Sequence, residues 1–382
     1  MHLLIIITDY GSFNNFLSEL AVQLVTENNK VSVICSKEKV INFDDRFDYA
    51  SLGIDIHFVN FPRGFNLFKQ LKASKQINNL VRQINPDIIH AHFTTGIFTA
   101  VLYQKLPKLT IGTIHGLGFP VLTGLKKYIF KLIEYFCIGR LDQVWLLNRS
   151  DYEIVSKIND EKAFILDVAG LGCDISRFDS KKFESKRSTI KSDLGINEKS
   201  FVIAFTGRFV HFKGFDLVIR AFLELNKSDP SNYTLILIGG PDSIHKTGLT
   251  ESEEREYLDC NQIIKAGFTQ NVEYYLSIAD IFLFPSLKEG MPICIIEALA
   301  MGVPTITADS RGCNDLVVNS KNGILLSATP TVEEIIEALT FLKENPLVLK
   351  EFKENALKRR VSLSRDLYIE RQIDVYSNLA KP

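Results

Sequence analysis

Apolar residues along this chain fall into short runs, separated by longer stretches in which they recur every three or four positions. The short runs predict strands at residues 3–7, 31–35, 54–59, 87–90, 110–114, 144–147 and 163–166. Several are apolar throughout, the pattern of parallel strands covered on both faces. Between them the helical period predicts helices such as 14–27 and 67–84. A polar stretch around 174–192 breaks the rhythm and reads as a linker or domain boundary. A second series of strands follows at 201–206, 233–238, 262–266, 281–284, 304–308 and 324–326, and helices from about 331 to 380 close the chain. Strand–helix repetition of this kind specifies doubly wound α/β sheets. The expected division is 1–172, 173–362, and a final helix at 363–382 that crosses back to the first domain. In open α/β sheets ligands bind beyond the carboxyl ends of the strands, so the expected site is the cleft between two such domains.

A chain of 382 residues is long for one core and suits two. Its net charge of −1 gives no overall attraction for nucleic acid. That average hides a local bias. Residues 61–140 hold eleven basic residues (Arg63, Lys69, Lys72, Lys75, Arg82, Lys105, Lys108, Lys126, Lys127, Lys131 and Arg140) against two acids, Asp87 and Glu134. The excess of nine implies a positive surface. Two helices supply most of it. In 67–84, apolar Leu67, Phe68, Leu71 and Ile77 are interleaved with Lys69, Lys72 and Lys75; in 125–136, Leu125, Tyr128, Ile129, Leu132, Ile133 and Phe136 run beside Lys126, Lys127 and Lys131. Such helices either lie on an anionic membrane or pack on the core with a solvated lysine face. The six cysteines are far apart, neither a disulfide framework nor a zinc pattern, which suits a reducing, cytoplasmic setting. The first residues lack the charged leader of a signal peptide and read as a strand. No apolar run reaches the roughly 18 residues of a membrane span. Any membrane contact is therefore expected from the side, on the inner face.

The segment PSLKEGMPICIIEALAMGVP, 285–304, carries the strongest chemistry. Pro292 suits a first helical turn. The helix that follows, 293–301, is apolar nearly all round and should be buried, so Glu297 within it needs partners. Glu289 stands eight residues earlier. The functional reading puts Glu289 on sugar hydroxyls, Glu297 on a ribose, and the N–H groups of Gly290, Met291 and Ile293 against a phosphate or sugar. The plainer alternative is a helix with one capping and one accidental glutamate.

This segment resembles the donor-binding motif of family 4 of the retaining glycosyltransferases, whose GT-B fold sets two Rossmann-like domains across a central cleft. The resemblance continues in GRFVHFKGFDLVIRAF, 207–222, in KAGFTQNVEYYLSIADIFLFPS and in MGVPTITADSRGCNDLVVNSKNGILL. It is dense over 201–326 and diffuse before. The RGCNDLV variant is similar to members acting in bacterial cell-surface polysaccharide and lipid-linked oligosaccharide assembly.

The resemblance implies that Arg208 and Lys213 hold the donor diphosphate and that Gly267 and Phe268 lie near the nucleobase, Phe268 being otherwise a loop aromatic packed on the core. It implies that Gly290, Met291, Pro292 and Ile293 meet the donor, that Glu289 is catalytic without being a nucleophile, and that His115 of TIHGLGF faces the transferred sugar. Gly11 and Ser12, in the first strand-to-helix turn, would approach a phosphate or acceptor. The family often has two glycines and a glutamate there; this chain has one glycine, then Asn14 and Asn15. His90 and His92 share one strand face and read as structural, since no third metal ligand stands with them.

The implied reaction moves a hexose-type unit, with retention, from a nucleotide diphosphate (UDP by default) to a glycan or polyprenyl-diphosphate-linked acceptor, without metal or cofactor. The competing readings are a sugar-nucleotide epimerase of the same fold, a non-catalytic sugar-nucleotide-binding subunit, and a nicotinamide dehydrogenase. The last lacks a G-x-G-x-x-G after the first strand.

Overall fold

The computed structural model describes residues 1–37, 44–62, 64, 66–229 and 232–380. The chain divides into two compact units, Met1–Leu171 with Tyr368–Pro382, and Gly172–Leu367.

The first unit is built on seven strands, β1 (His2–Asp9), β2 (Lys30–Ser36), β3 (Asp55–Phe58), β4 (Ile88–His92), β5 (Leu109–Ile114), β6 (Gln143–Leu146) and β7 (Ala163–Ile165). They lie in the order β3-β2-β1-β4-β5-β6-β7, every pairing parallel. Helices α1 (Tyr10–Phe16), α2 (Ser18–Thr26), α3 (Leu67–Ile84), α4 (Thr94–Val101), α5 (Gly124–Arg140) and α6 (Arg149–Ser156) connect them. Leu3 to Ile7 are fully buried, as a strand covered on both faces requires.

In the second unit β8 (Phe201–Phe209), β9 (Tyr233–Pro241), β10 (Ile263–Gly267), β11 (Ile281–Phe284), β12 (Thr305–Ala308) and β13 (Gly323–Leu326) form a parallel sheet in the order β10-β9-β8-β11-β12-β13. Its helices are α7 (Arg187–Asp193), α8 (Phe215–Ser228), α9 (Glu251–Asp259), α10 (Val272–Leu276), α11 (Ile293–Ala300), α12 (Cys313–Leu316), α13 (Val332–Glu344) and α14 (Pro346–Lys358); α15 (Arg365–Leu379) closes the chain.

Each sheet reverses its winding once, between β1 and β4 and between β8 and β11. At such a switch point the flanking loops diverge and leave a crevice beyond the carboxyl ends of the strands. Asp9 and His92 end the strands at the first, and Arg208 and Pro285 lie at the second.

Three expectations change. The helix read at 14–27 begins at Tyr10 and breaks at Leu17, because the Asp9 side chain caps it by accepting the Ser12 N–H at 2.9 Å. The polar stretch 174–192 is folded into the second unit as a 3-10 segment (Ser180–Lys186) and α7. There Arg187 donates to the Ser277 and Ile278 carbonyls and to Asp280. The chain changes unit at 171/172 and again inside α15, at 367/368. The two crossings run side by side, Cys173 donating to the Leu363 carbonyl (2.9 Å) and Arg365 to that of Cys173 (2.8 Å).

The two basic helices differ: α3 packs Ala73, Ile77 and Val81 into the core, whereas α5 buries little of its apolar stripe. In α3 Ile77 is buried while Leu67 and Phe68 stand exposed. In α5 only Glu134, Cys137 and Ile138 are buried; Leu125, Tyr128, Ile129 and Leu132 face solvent. Arg63 lies outside the described residues.

Helix α15 is tied to the first sheet by Tyr376, whose ring stacks on Trp145 (5.5 Å, 12°) and whose hydroxyl lies 2.5 Å from His90 Nδ1. Tyr376→Phe keeps the ring and strands the buried imidazole nitrogen. It should lower stability by about 1–3 kcal/mol in urea denaturation; an unchanged transition would show that this hydrogen bond contributes nothing net.

Candidate active site

The second unit gathers its functional side chains at the β8/β11 switch point. Arg208, near the end of β8, donates to Asp242 Oδ2 at 2.5 Å, with its guanidinium 5.4 Å over the Phe212 ring. Asp242 follows β9. The backbone N–H of Ile244 first, and then Arg208 and His245, hold its carboxyl down to about 2, against a smaller effect of burial.

Lys213 ends a single 3-10 turn, His211–Lys213. Gly214 follows with φ +73, and a Cβ there would lie 2.5 Å from the Pro285 carbonyl oxygen. The turn therefore rests directly on the loop after β11. The Leu287 N–H donates to the Phe212 carbonyl at 3.0 Å, and Ser286 Oγ lies 3.2 Å from the same oxygen. This contact brings Lys213 Nζ to 2.6 Å from Glu289 Oε1, and Ser286 Oγ donates to that carboxylate oxygen at 2.6 Å. Lys213 Nζ also lies 5.3 Å over the Phe284 ring.

The far side of the loop is held as firmly. Arg311 Nε donates to the Glu289 carbonyl (2.9 Å) and Ser310 Oγ to that of Ser286 (2.7 Å). Gly312, φ +79, approaches so closely that a Cβ would lie 2.4 Å from the Gly290 oxygen. Gly290 and Met291 lead into α11. Pro292 occupies the position before its first residue, Ile293, and not the first turn as expected, with φ −77 and ψ 109. No side chain caps this helix, so its leading N–H groups are suited to an anion or a sugar oxygen.

Glu297 is half-buried in α11, and its carboxylate accepts no hydrogen bond among the described residues. Burial pushes its carboxyl up to about 7, against the opposing pull of Arg177 and Arg365. Gly267 ends β10 with φ +68. Phe268 is not packed in the core: it is 80% exposed and lies edge-on over Gly240.

In the first unit His115 follows β5. Its ring stacks on Phe93 (4.1 Å, 27°), and its Nε2 lies 3.3 Å from His92 Nδ1. Burial lowers His115 to about 4, His90 to about 3, and His92 well below its ordinary value, so all three are neutral at physiological pH. Among the described residues no group of three or more His, Cys, Asp or Glu is arranged to hold a metal ion.

The loop after His115 is pinned by two buried acids. Glu134 of α5 accepts from the Gly118 and Phe119 N–H groups (2.8 and 3.2 Å) and from Thr94 (3.1 Å); Asp151 of α6 accepts from Leu117 (3.1 Å). Gly11 is buried in the first turn of α1 and has no positive φ, and Ser12 donates to Asp9 Oδ2 at 2.7 Å. The strand-to-helix turn expected there is the capped first turn of α1.

The structure thus joins Lys213 to Glu289 and adds Ser286, Arg311 and Asp242, none of which the sequence reading singled out. Asp242 had a signal, a carboxylate just past a Gly-Gly-Pro strand end; Ser286 and Arg311 act through neighbours only the fold supplies.

Glu297 gives a pH test. A carboxyl raised from 4.5 to about 7 on folding is destabilising once ionised, so stability falls as pH climbs between those values and is level above. Glu297→Gln should be more stable than the parent at pH 8 by about 1–2 kcal/mol, screening included, and equal to it at pH 4. Urea denaturation at both pH values measures this; an equal difference at both would remove the assigned cause.

Residues 7–148 match the family model described as Glycosyl transferase 4-like, and 186–359 match Glycosyl transferases group 1. The UDP-Gal:alpha-D-GlcNAc-diphosphoundecaprenol alpha-1,3-galactosyltransferase of Escherichia coli is 25% identical over 364 residues, 91% of this chain and 90% of that one. The putative teichuronic acid biosynthesis glycosyltransferase TuaC of Bacillus subtilis is 30% identical over 71% of this chain and 63% of its own. Among solved structures, Anabaena HepE in complex with UDP superposes with a TM-score of 0.79 at 17% identity, over 99% of this chain and 100% of that one. WaaG, a glycosyltransferase involved in lipopolysaccharide biosynthesis, gives 0.75 at 16%, over 98% and 99%. With both halves matched in sequence and the fold shared along the length of the chain, the protein belongs to the family 4 type of glycosyltransferases and has the GT-B fold.

Proposed function

We propose that this glycosyltransferase moves a hexose-type sugar from a UDP-sugar, with retention, to a glycan or polyprenyl-diphosphate-linked acceptor during bacterial surface polysaccharide assembly. The observation that carries the reading is the Lys213–Glu289 contact of 2.6 Å at a strand switch point, with Arg208 on the neighbouring strand end. A departing nucleoside diphosphate gains charge as the sugar leaves, and fixed cations stabilise that charge. A carboxylate beside them suits sugar hydroxyls. Glu289 Oε1 already accepts from Lys213 and Ser286, which fits a binding role and not a nucleophile. Glu297, without a protein partner, suits the ribose diol, and exposed Phe268 with Gly267 suits the base. The Escherichia coli relative's name specifies UDP-Gal and a diphosphoundecaprenol acceptor, and HepE binds UDP and glucose.

In the proposed step the bond from the anomeric carbon to the diphosphate oxygen breaks. The bond to the acceptor oxygen forms on the same face, and the acceptor hydroxyl proton passes to the leaving phosphate. Arg208 and Lys213 take the place of a divalent cation, so no metal or cofactor is needed. Helix α5 supports an acceptor held in lipid. Leu125, Tyr128 and Leu132 are 75%, 66% and 72% exposed beside Lys126, Lys127 and Lys131, a face suited to the anionic inner surface of a cytoplasmic membrane. Among the described residues no helix is long and apolar enough to cross one.

Incubation with membrane lipid extract and a panel of labelled nucleotide sugars, with and without EDTA, tests the reaction. Label from one donor should enter the organic phase, survive EDTA and vanish in Glu289→Ala; Lys213→Ala should lower kcat by about 10²–10³-fold. Label lost with EDTA, or kept by Glu289→Ala, would sink the scheme. For α5, replacing Lys126, Lys127 and Lys131 with Gln should weaken binding to anionic liposomes by about 1 kcal/mol per lysine near the surface; unchanged binding would remove the membrane contact.

A further inference from the structure

His90, His92 and His115 form a row of neutral imidazoles, and only one nitrogen in it is both buried and without a partner. His90 is satisfied on both sides, by Tyr376 at Nδ1 (2.5 Å) and by Thr113 at Nε2 (2.6 Å). Its ring stacks on His92 (4.2 Å, 28°) and fixes the plane of that ring. His92 Nδ1 meets His115 Nε2 at 3.3 Å, while His92 Nε2 is buried and partnerless.

A neutral imidazole carries one proton, so the contact has two possible forms. If His92 holds its proton on Nε2, a buried N–H is left without an acceptor, and Nδ1 must accept from His115. If His92 holds it on Nδ1, it donates to His115, and the buried nitrogen carries only a lone pair. Orphaned buried N–H groups are rarer in folded proteins than under-satisfied acceptors, which favours the second form. A doubly protonated His92 is ruled out by its burial, which keeps the ring neutral. His115 then has Nε2 occupied as an acceptor and its own proton on Nδ1, an atom that, unlike His92 Nε2, is not fully enclosed, so its N–H remains available to a ligand. Phe93, at φ +63, stacks against the His115 ring.

We infer that His92 is a positioning residue: its Nδ1–H fixes His115 as the Nδ1–H tautomer, so that His115 offers the sugar a hydrogen-bond donor and no base. The inference rests on the reading that His115 meets the transferred sugar. It assigns His92 a part in the reaction without any contact to substrate, and it explains why a strand-buried histidine keeps one nitrogen unpaired.

The experiment is long-range proton–nitrogen spectroscopy on the full chain labelled with 15N-histidine. Kinetics follow UDP released from UDP-glucose or UDP-galactose, whichever the donor panel incorporates. The parent should show His115 protonated on Nδ1 and bare on Nε2. His92→Leu removes the donor and should shift His115 towards the Nε2–H form, with kcat lowered about 10-fold and KM for the donor changed less than about twofold. His92→Asn, whose amide N–H can reach the same nitrogen, should restore the tautomer and most of the rate. A parent His115 protonated on Nε2, or a tautomer unmoved by His92→Leu, would overturn the inference. His115→Phe transferring sugar at the parent rate would overturn its catalytic half and leave the tautomer to be read from the spectra alone.

Discussion

Nothing larger than a hydrogen fits on the α-carbon of residue 214. The Pro285 carbonyl oxygen occupies the place a Cβ would take, and φ +73 at this position would strain any other residue. Because the 3-10 turn and the loop after β11 touch through backbone, Lys213 and Glu289, 76 positions apart in the chain, meet at hydrogen-bond distance. The Gly312 approach to Gly290 closes the loop from the other side. Contacts between backbones leave little room to adjust. The Lys–Glu–Ser cluster is therefore set by folding, and a ligand need not organise it on arrival.

That cluster meets its ligand already neutralised. Lys213 is matched by Glu289 and Arg208 by Asp242. In the proposed reading a diphosphate does not fill an empty cationic hole; it competes with two carboxylates for two cations. Lys213, only 19% exposed, is held in place by its carboxylate, whereas Arg208 is paired at 46% exposure and is more open to solvent. The price is affinity for the ground state, which matters less than charge stabilisation as the leaving group departs. The first unit uses the opposite chemistry: its row of imidazoles is neutral because burial removes the charged form. In the proposed reading, a neutral donor there would hold a sugar without adding charge near the anomeric carbon.

Much of the architecture was legible in the chain because it rests on local pattern. The strands are apolar runs, and each lies within a few residues of its expected place, since burial on both faces needs nothing beyond the run itself. Lys213 and Glu289, which the fold brings together, were singled out because they lie in motifs that follow strands, whereas Arg208, read as following a strand, lies within the end of β8. What escaped depends on distant partners. His90 is completed by Tyr376, 286 positions away. Glu134 counted only as an acid in a basic stretch, whereas it is a buried acceptor for the loop after His115. The capping by Asp9 was readable from its residue type yet hidden by the glycine that follows Tyr10, which pointed to a backbone approach to a phosphate or acceptor. In α5 the apolar stripe fitted a core face and a membrane face alike, because periodicity alone cannot say whether a stripe meets protein or something outside it.

Helix α5 has two faces with different obligations. Its inner face carries Glu134, which accepts from the Gly118 and Phe119 N–H groups. Phe119 packs edge-on against Tyr135 (6.0 Å), with Lys131 Nζ 5.9 Å over its ring. Its outer face carries the exposed Leu125, Tyr128, Ile129 and Leu132. The loop 116–119 directly follows His115, so Glu134 connects helix α5 to the backbone beside the histidine. A carboxylate buried in this helix, raised by desolvation despite three hydrogen bonds, is a costly way merely to end a loop. It becomes intelligible if the loop must keep one position while the helix bears on another surface. If α5 rests on lipid, the same helix that holds the enzyme at the membrane also fixes the backbone beside the residue proposed to face the sugar.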